Sequence, residues 1–350
     1  MRPLKRDTII YLCLGLSILF LPSCEKGDEY DSSAYTNFNA LWQILDENYC
    51  FFDYKDIDWD DVYDQYLPQL SDTMTVYTLF DTLGDMLAEL KDGHVNLIST
   101  FNTSRYWDWY LDYADNFSED IQKNYLGRDY SIAGGLRYTT LADGQIGYIY
   151  YGSFSSSASD ASLTHIFYQF SECKGIIFDV RDNSGGLLSN ADRIASHFIS
   201  EECLVGYIQY KTGKGHSDLS DPYPIYLSPS EYSRWLRPVV VLTNRYCYSA
   251  ANNFVQKMRT FSNVVTMGDR TGGGSGMPYS SELPNGWAIR FSASPLLDEN
   301  QQHTEFGIDP DIAVSMTEED EAEGKDTIIE TAISYILAET SDEDTEEGLE

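Results

Sequence analysis

Positive charge is scarce in this sequence. Twenty-three Lys and Arg stand against 56 Asp and Glu in 350 residues, a formal net charge of −33. So acidic a surface repels phosphates. That excludes nucleic acid and an anionic membrane surface as partners and leaves solubility as the plain role of most of the acids. Long apolar runs are missing too: the stretch from Ile9 to Leu21 is too short for a comfortable bilayer span. The six cysteines include no C-x-x-C pair, so no zinc site is indicated and no cofactor is expected. The glycine-rich stretch Gly268–Gly276 lacks the G-K-[S/T] ending of a phosphate loop, which disfavours nucleotide binding. Histidine is rare, with five in the chain, and no internal repeat is present.

What is there begins with a targeting segment. Arg2, Lys5 and Arg6 precede the apolar run, which ends in Leu21-Pro22-Ser23-Cys24. This ending resembles a bacterial lipobox, with Cys24 as the lipid attachment residue, so the only membrane contact expected is through that anchor in the cell envelope. Acidic Glu25, Asp28 and Glu29 follow it closely. Loss of residues 1–23 removes three basic residues and one acid and takes the mature chain to −35. Cys50, Cys173, Cys203 and Cys247 then remain, able to pair in an oxidising compartment.

Residues 24–34 read as a tether. Over 35–100 the apolar residues fall at helical spacings: Phe38, Leu41, Trp42, Leu45 and Tyr49, then Trp59, Val62 and Tyr66 closed by Pro68, then Val76 to Leu90. The segment 101–143 is aromatic and poorly patterned. From 144 to 338 short β-branched runs (Ile146–Tyr151, Gly175–Val180, Pro238–Leu242, Val264–Met267, Trp287–Phe291) alternate with helical patterns near Asn190–Ile199 and Ser249–Phe261. The pattern predicts an α/β (α+β) chain: a small helical bundle, then a mixed-sheet αβ core. Residues 339–350 read as an acidic disordered tail.

Ser249 opens the helix that follows the apolar strand Val239–Leu242. A hydroxyl there meets the positive end of the helix dipole beside an outward N–H, conditions that stabilise an oxyanion, although serine is also an ordinary helix cap. The strand Gly175–Val180 runs into Arg181-Asp182-Asn183-Ser184-Gly185-Gly186, whose glycines allow N–H groups to face a substrate oxygen. Lys91-Asp92-Gly93-His94 closes the third helix.

Taken together, D-G-H, R-x-N-x-G-G, S-A-A-N, G-D-R-T-G-G-G and Glu305-Phe306-Gly307-Ile308-Asp309-Pro310-Asp311 resemble, in that order, the carboxyl-terminal processing and tricorn-type serine peptidases. The likeness covers about Phe38 to Ile336 and implies a core of the ClpP/crotonase type. Where the processing branch has a catalytic lysine this chain has Gly274, and the stretch after His94 is too short for a PDZ domain. The tricorn and retinol-binding-protein-like branch, with a histidine base, fits better. The resemblance then implies Ser249 as nucleophile, His94 as general base, Glu305 in the relay that orients it, and oxyanion donors from Gly185, Gly186 and Ala250. The relay serine of tricorn is replaced by Gly93. The expected partner is a peptide or protein substrate. The alternatives are a non-catalytic binding lipoprotein on the same fold and a surface glycan-binding protein, the latter suggested by Tyr106, Trp107, Trp109, Tyr110 and Tyr113.

Overall fold

The computed structural model describes residues 32–346 except Asp112, with side chains as far as residue 340. The signal segment, Cys24 and most of the tether lie outside the described residues. Helices α1 (Ala34–Asn48), α2 (Phe52–Lys55), α3 (Trp59–Tyr66) and α4 (Val76–Ala88) come first. Side chains of Ser33, Asp58 and Thr75 cap the N-termini of α1, α3 and α4 by accepting main-chain N–H groups three residues on. Their apolar faces share one core. Lys91, in the left-handed region at φ 46°, turns the chain after α4 and sends Asp92-Gly93-His94 back toward the centre of the molecule.

The helical unit does not bury its face alone. Strands β1 (Asn96–Ile98) and β2 (Thr103–Arg105) are followed by α5 (Glu119–Leu126), β3 (Ser131–Ala133), β4 (Leu136–Leu141), β5 (Ile146–Tyr150), α6 (Asp160–Gln169), β6 (Gly175–Asp179) and α7 (Leu188–Ser196). Then come β7 (Cys203–Ile208), β8 (Tyr223–Leu227), β9 (Val239–Thr243), α8 (Ala250–Met258), β10 (Val264–Gly268), β11 (Gly276–Glu282) and β12 (Ala288–Leu297). The chain closes with β13 (Ile312–Ala313), α9 (Glu318–Ala322) and α10 (Thr327–Glu346). One sheet has the order β2-β1-β12-β7-β8, with β11 also paired to β12. Leu283, Trp287, Ile289 and Phe291 from its far end complete the helical core. The break placed at residue 100 is therefore one of sequence texture, not of space.

The second sheet has the order β13-β10-β9-β6-β5-β4-β3, parallel from β13 to β5. Every residue of β5, β6 and β9 is buried, as expected for parallel strands covered on both faces. Helices α6, α7 and α8 contribute to the core on one face; α5 and α10 contribute to that on the other. Buried Arg181 ties the end of β6 to α10, bonding Asp179 at 2.7 Å and Asp326 at 2.9 Å.

The structure settles three points that the sequence left open or read differently. The aromatic, poorly patterned segment 101–143 carries β2, α5, β3 and β4. The helix α10 continues to Glu346, into the tail expected to be disordered from 339. Its Ile328, Ile329, Ala332 and Ile336 are held in the core, and once a helix is nucleated each added residue gains a hydrogen bond for little further ordering. Cys50, Cys173, Cys203 and Cys247 are all free thiols.

Candidate active site

The polypeptide enters α8 through a strained turn. Ser249 has φ 57° and ψ −119°, a conformation that costs a non-glycine residue about 1–3 kcal/mol. Its hydroxyl makes no cap hydrogen bond; it lies 2.9 Å from Nε2 of His94 instead. The surroundings hold the strain in place. Every residue of α8 is buried, and the Ser249 N–H donates to the carbonyl of Gly273 at 2.8 Å. Gly185 packs so closely that a Cβ there would lie 2.6 Å from the Tyr248 carbonyl and 2.8 Å from the Ala250 nitrogen.

His94 is 4% exposed, and burial lowers its pKa from 6.5 to about 4 against the opposing pull of Asp92. Near neutral pH the imidazole is uncharged, the state in which it can take a proton. A Ser-to-Nε2 transfer requires the Nδ1–H tautomer. Nδ1 is buried and has no partner in hydrogen-bond geometry, although the Gly276 main chain lies close enough to favour the protonated ring weakly. The ring is placed by other means: its main-chain N–H donates to Asp92 Oδ1 at 2.8 Å, and it packs on Tyr248 with centroids 5.2 Å apart.

Beneath it lies a buried ionic cluster that sequence reasoning missed. Lys55 Nζ is 2.9 Å from Glu305 Oε1 and 3.7 Å from Asp92 Oδ2. Asp92 Oδ2 also accepts from Tyr49 and Ser292 hydroxyls at 3.0 and 2.9 Å. Burial raises Asp92, but the Lys55 and His94 charges, the His94 main-chain N–H and the Ser292 hydroxyl outweigh it and hold the carboxyl below its ordinary value. Glu305 goes the other way: burial, then the charge of Asp92, push it from 4.5 to about 7. One ammonium cannot neutralise two buried carboxylates, so Glu305 is the one that keeps a proton longest. Residues from α2, the D-G-H turn, β12 and the chain after it meet here, and no local sequence signal links them.

Glu305 is thus neither a surface carboxylate nor in contact with His94. Its Oε2 accepts the Ser275 N–H at 2.8 Å and its other oxygen faces Lys55. No direct hydrogen bond joins Glu305 to the His94 ring. The oxyanion assignment is also narrowed. The Gly185 N–H already donates to Asn183 Oδ1 at 2.9 Å, whereas the N–H groups of Gly186 and Ala250 have no acceptor among the described residues.

One side chain accounts for both glycines that stand where relatives carry polar residues. A Cβ on Gly274 would lie 2.4 Å from the Tyr248 ring, and one on Gly93 2.9 Å from the Tyr248 hydroxyl. The phenol occupies the space that a lysine or relay serine would need; it accepts the Gly93 N–H at 3.1 Å and stacks on Trp109 at 4.5 Å. The glycine-rich loop meanwhile straps the Ser249 turn to the Glu305 segment, since the Gly274 N–H donates to the Glu305 carbonyl.

Ser249 and His94 open into a cleft of about 450 Å³. Trp107, Trp109 and Tyr110, from the segment that suggested a sugar platform, form one wall. No lining residue is acidic, so the carboxylate pair of a glycosidase is absent among the described residues. No group of three or more His, Cys, Asp or Glu that could hold a metal occurs among the described residues.

Residues 145–314 match the family model described as Peptidase family S41, and residues 33–88 match the Tricorn protease C1 domain. A solved structure of a putative peptidase from Parabacteroides merdae is 64% identical, with a TM-score of 0.84 over 88% of this chain and 98% of that one. A putative tricorn-like protease C-terminal subunit of Sulfurisphaera tokodaii is 28% identical over 202 residues, 55% of this chain and 21% of the relative. The carboxy-terminal processing protease CtpA of Bacillus subtilis is 26% identical over 162 residues, 46% of this chain and 33% of the relative. The chain thus spans between a fifth and a third of the length of these curated relatives.

Proposed function

Since the chain belongs to peptidase family S41, and so to a family of serine-type hydrolases acting on peptides, we propose that it cleaves peptide bonds through a Ser249 acyl-enzyme with His94 as general base. The observation that carries this reading is the 2.9 Å approach of a buried, neutral imidazole to a strained serine hydroxyl at a helix N-terminus. Ser249 Oγ attacks the carbonyl carbon while its proton passes to His94 Nε2. The oxyanion takes hydrogen bonds from the Gly186 and Ala250 N–H groups. Collapse expels the amine with the proton from His94, and water, deprotonated by the same ring, releases the acid. Asp92 acts through the His94 main chain and its field. Glu305 acts by fixing the Ser275 strap and sharing charge with Lys55 and Asp92. The lipobox-like ending at Cys24 supports a place for this reaction in the cell envelope.

A fluorophosphonate probe tests the reading. It should label the wild type on Ser249, fail on Ser249→Ala, and label His94→Asn slower by at least about two orders of magnitude. No labelling of folded wild type at pH 7 would refute it. The buried, unbonded Nδ1 of His94 favours a second reading, a binding protein with an idle site, and that result would select it.

A further inference from the structure

Three neighbouring strands present a short row of polar side chains to the cleft. Asn96 on β1 stands opposite Arg105 on β2 and Arg290 on β12. Strand alternation sends their neighbours the other way: Leu97, Ile289 and Phe291 enter the helical core, and Ser104 packs where Gly84 of α4 leaves room. All three of the row line the cleft that holds Ser249 and His94. At two strand spacings the arginines are rooted about 10 Å apart, close enough to converge on one ligand.

Neither guanidinium has an ion-pair partner within 4 Å, although the buried Asp92 charge acts on Arg290 from farther off. Arg105 lies over the Trp107 ring at 4.2 Å, and Arg290 Nη1 is 3.5 Å from Asn96 Oδ1. Among the described residues neither forms an ion pair, and no acid lines the cleft. In a chain with 56 acids and 23 bases, two unpaired arginines beside the nucleophile make a local reversal of sign. Arg105 is exposed and Arg290 half-buried, and for Arg290 the partial burial disfavours the charge and leaves it short of a close anionic partner.

We propose that Arg105 and Arg290 bind a carboxylate of the peptide substrate, so that the site selects peptides with an anionic group near the scissile bond. This rests on the peptidase reading above. A peptide supplies such a group as an Asp or Glu side chain or as its free C-terminal carboxylate; either matches the planar fork of a guanidinium. Arg290 has a second effect, because its charge opposes protonation of His94. A carboxylate on Arg290 offsets that charge and favours the imidazolium that forms as Ser249 is deprotonated. Binding of the right substrate thereby strengthens its own base, so the preference should fall on kcat as well as KM.

The test uses the full chain and quenched fluorogenic peptides in matched sets: Glu against Gln at each position flanking the bond, and free acid against amide at the C-terminus. Carboxylate peptides should be cleaved with kcat/KM at least about tenfold higher, and Arg105→Gln and Arg290→Gln should each shrink that ratio. A ratio that follows Glu position and persists in C-terminal amides identifies a side chain; one confined to free acids identifies the terminus. Fluorescence anisotropy of the same peptides on Ser249→Ala reads the arginines without turnover. Equal binding and cleavage of acids and amides overturns the inference, even if the probe labels Ser249. A wild type that the probe does not label, but whose arginines still favour carboxylates in the binding arm, refutes the peptidase reading alone.

Discussion

The pKa values of Glu305 and His94 are displaced in opposite directions and act on stability over nearly the same pH range, so single substitutions should separate them. Burial and Asp92 raise Glu305 from 4.5 to about 7. Burial lowers His94 from 6.5 to about 4. Between pH 4.5 and 7 the folded chain keeps a proton on Glu305 that the unfolded chain has lost. Its contribution to stability is therefore full below 4.5 and lost as pH rises through 7. For His94 it is the unfolded chain that holds the extra proton, so stability falls as pH drops from 6.5 through 4. Each displacement is worth about 3 kcal/mol at about 1.4 kcal/mol per pH unit, and in the wild type the two slopes oppose. Relative to wild type, Glu305→Gln should gain about 3 kcal/mol between pH 4.5 and 7, and His94→Asn should lose about as much between pH 4 and 6.5. Urea denaturation followed by far-UV circular dichroism at half-unit intervals measures both. If all three stability–pH curves run parallel within about 0.5 kcal/mol, neither group is buried and shifted in this way, and the account of the cluster is wrong.

The fluorophosphonate labelling rate should stay flat from pH 8 to about 5 and halve near pH 4, where His94 titrates; an inflection near 6.5 would mark an ordinary solvated imidazole. Ser249→Gly should be more stable than Ser249→Ala by about 1 kcal/mol, because only glycine adopts φ 57°, ψ −119° without strain; equal urea midpoints would argue against stored strain. Gly274→Ala, which meets the Tyr248 ring at a φ of 75°, should cost at least about 2 kcal/mol, and a cycle with Tyr248→Ala should recover part of it. Lys55→Met leaves two buried carboxylates unpaired and should cost about 3–5 kcal/mol in thermal or urea unfolding, with partial recovery in Lys55→Met/Glu305→Gln. A loss below about 1 kcal/mol would mean that the cluster is hydrated.

Much of this protein is written locally. The continuous apolar runs of β5, β6 and β9 and the three-and-four spacing of α1 and α4 declare their elements, because burial on both faces or on one stripe leaves a periodic trace. Ser249 and His94 were also legible, through ordered motifs rather than through either residue alone. The segment 101–143 was not, since its aromatics satisfy a cleft wall rather than a period. Nor was the path of α10 to Glu346, where packing near its start carries an acidic stretch along.

Sequence by itself determined the α/β class and singled out Ser249 and His94, which the fold brings to 2.9 Å, and Gly274 beside them. Tertiary structure alone decided how the His94 imidazole is supported. Lys55, Asp92, Ser292 and Glu305 are separated by up to 250 residues and meet only because β12 crosses to the helical unit, so no local pattern could pair them. It likewise decided that the Gly185 N–H is already taken and that Tyr248 fills the space beside both anomalous glycines. Hydrogen-bond satisfaction and excluded volume are properties of assembled neighbours, and a chain of residues does not state them until it is folded.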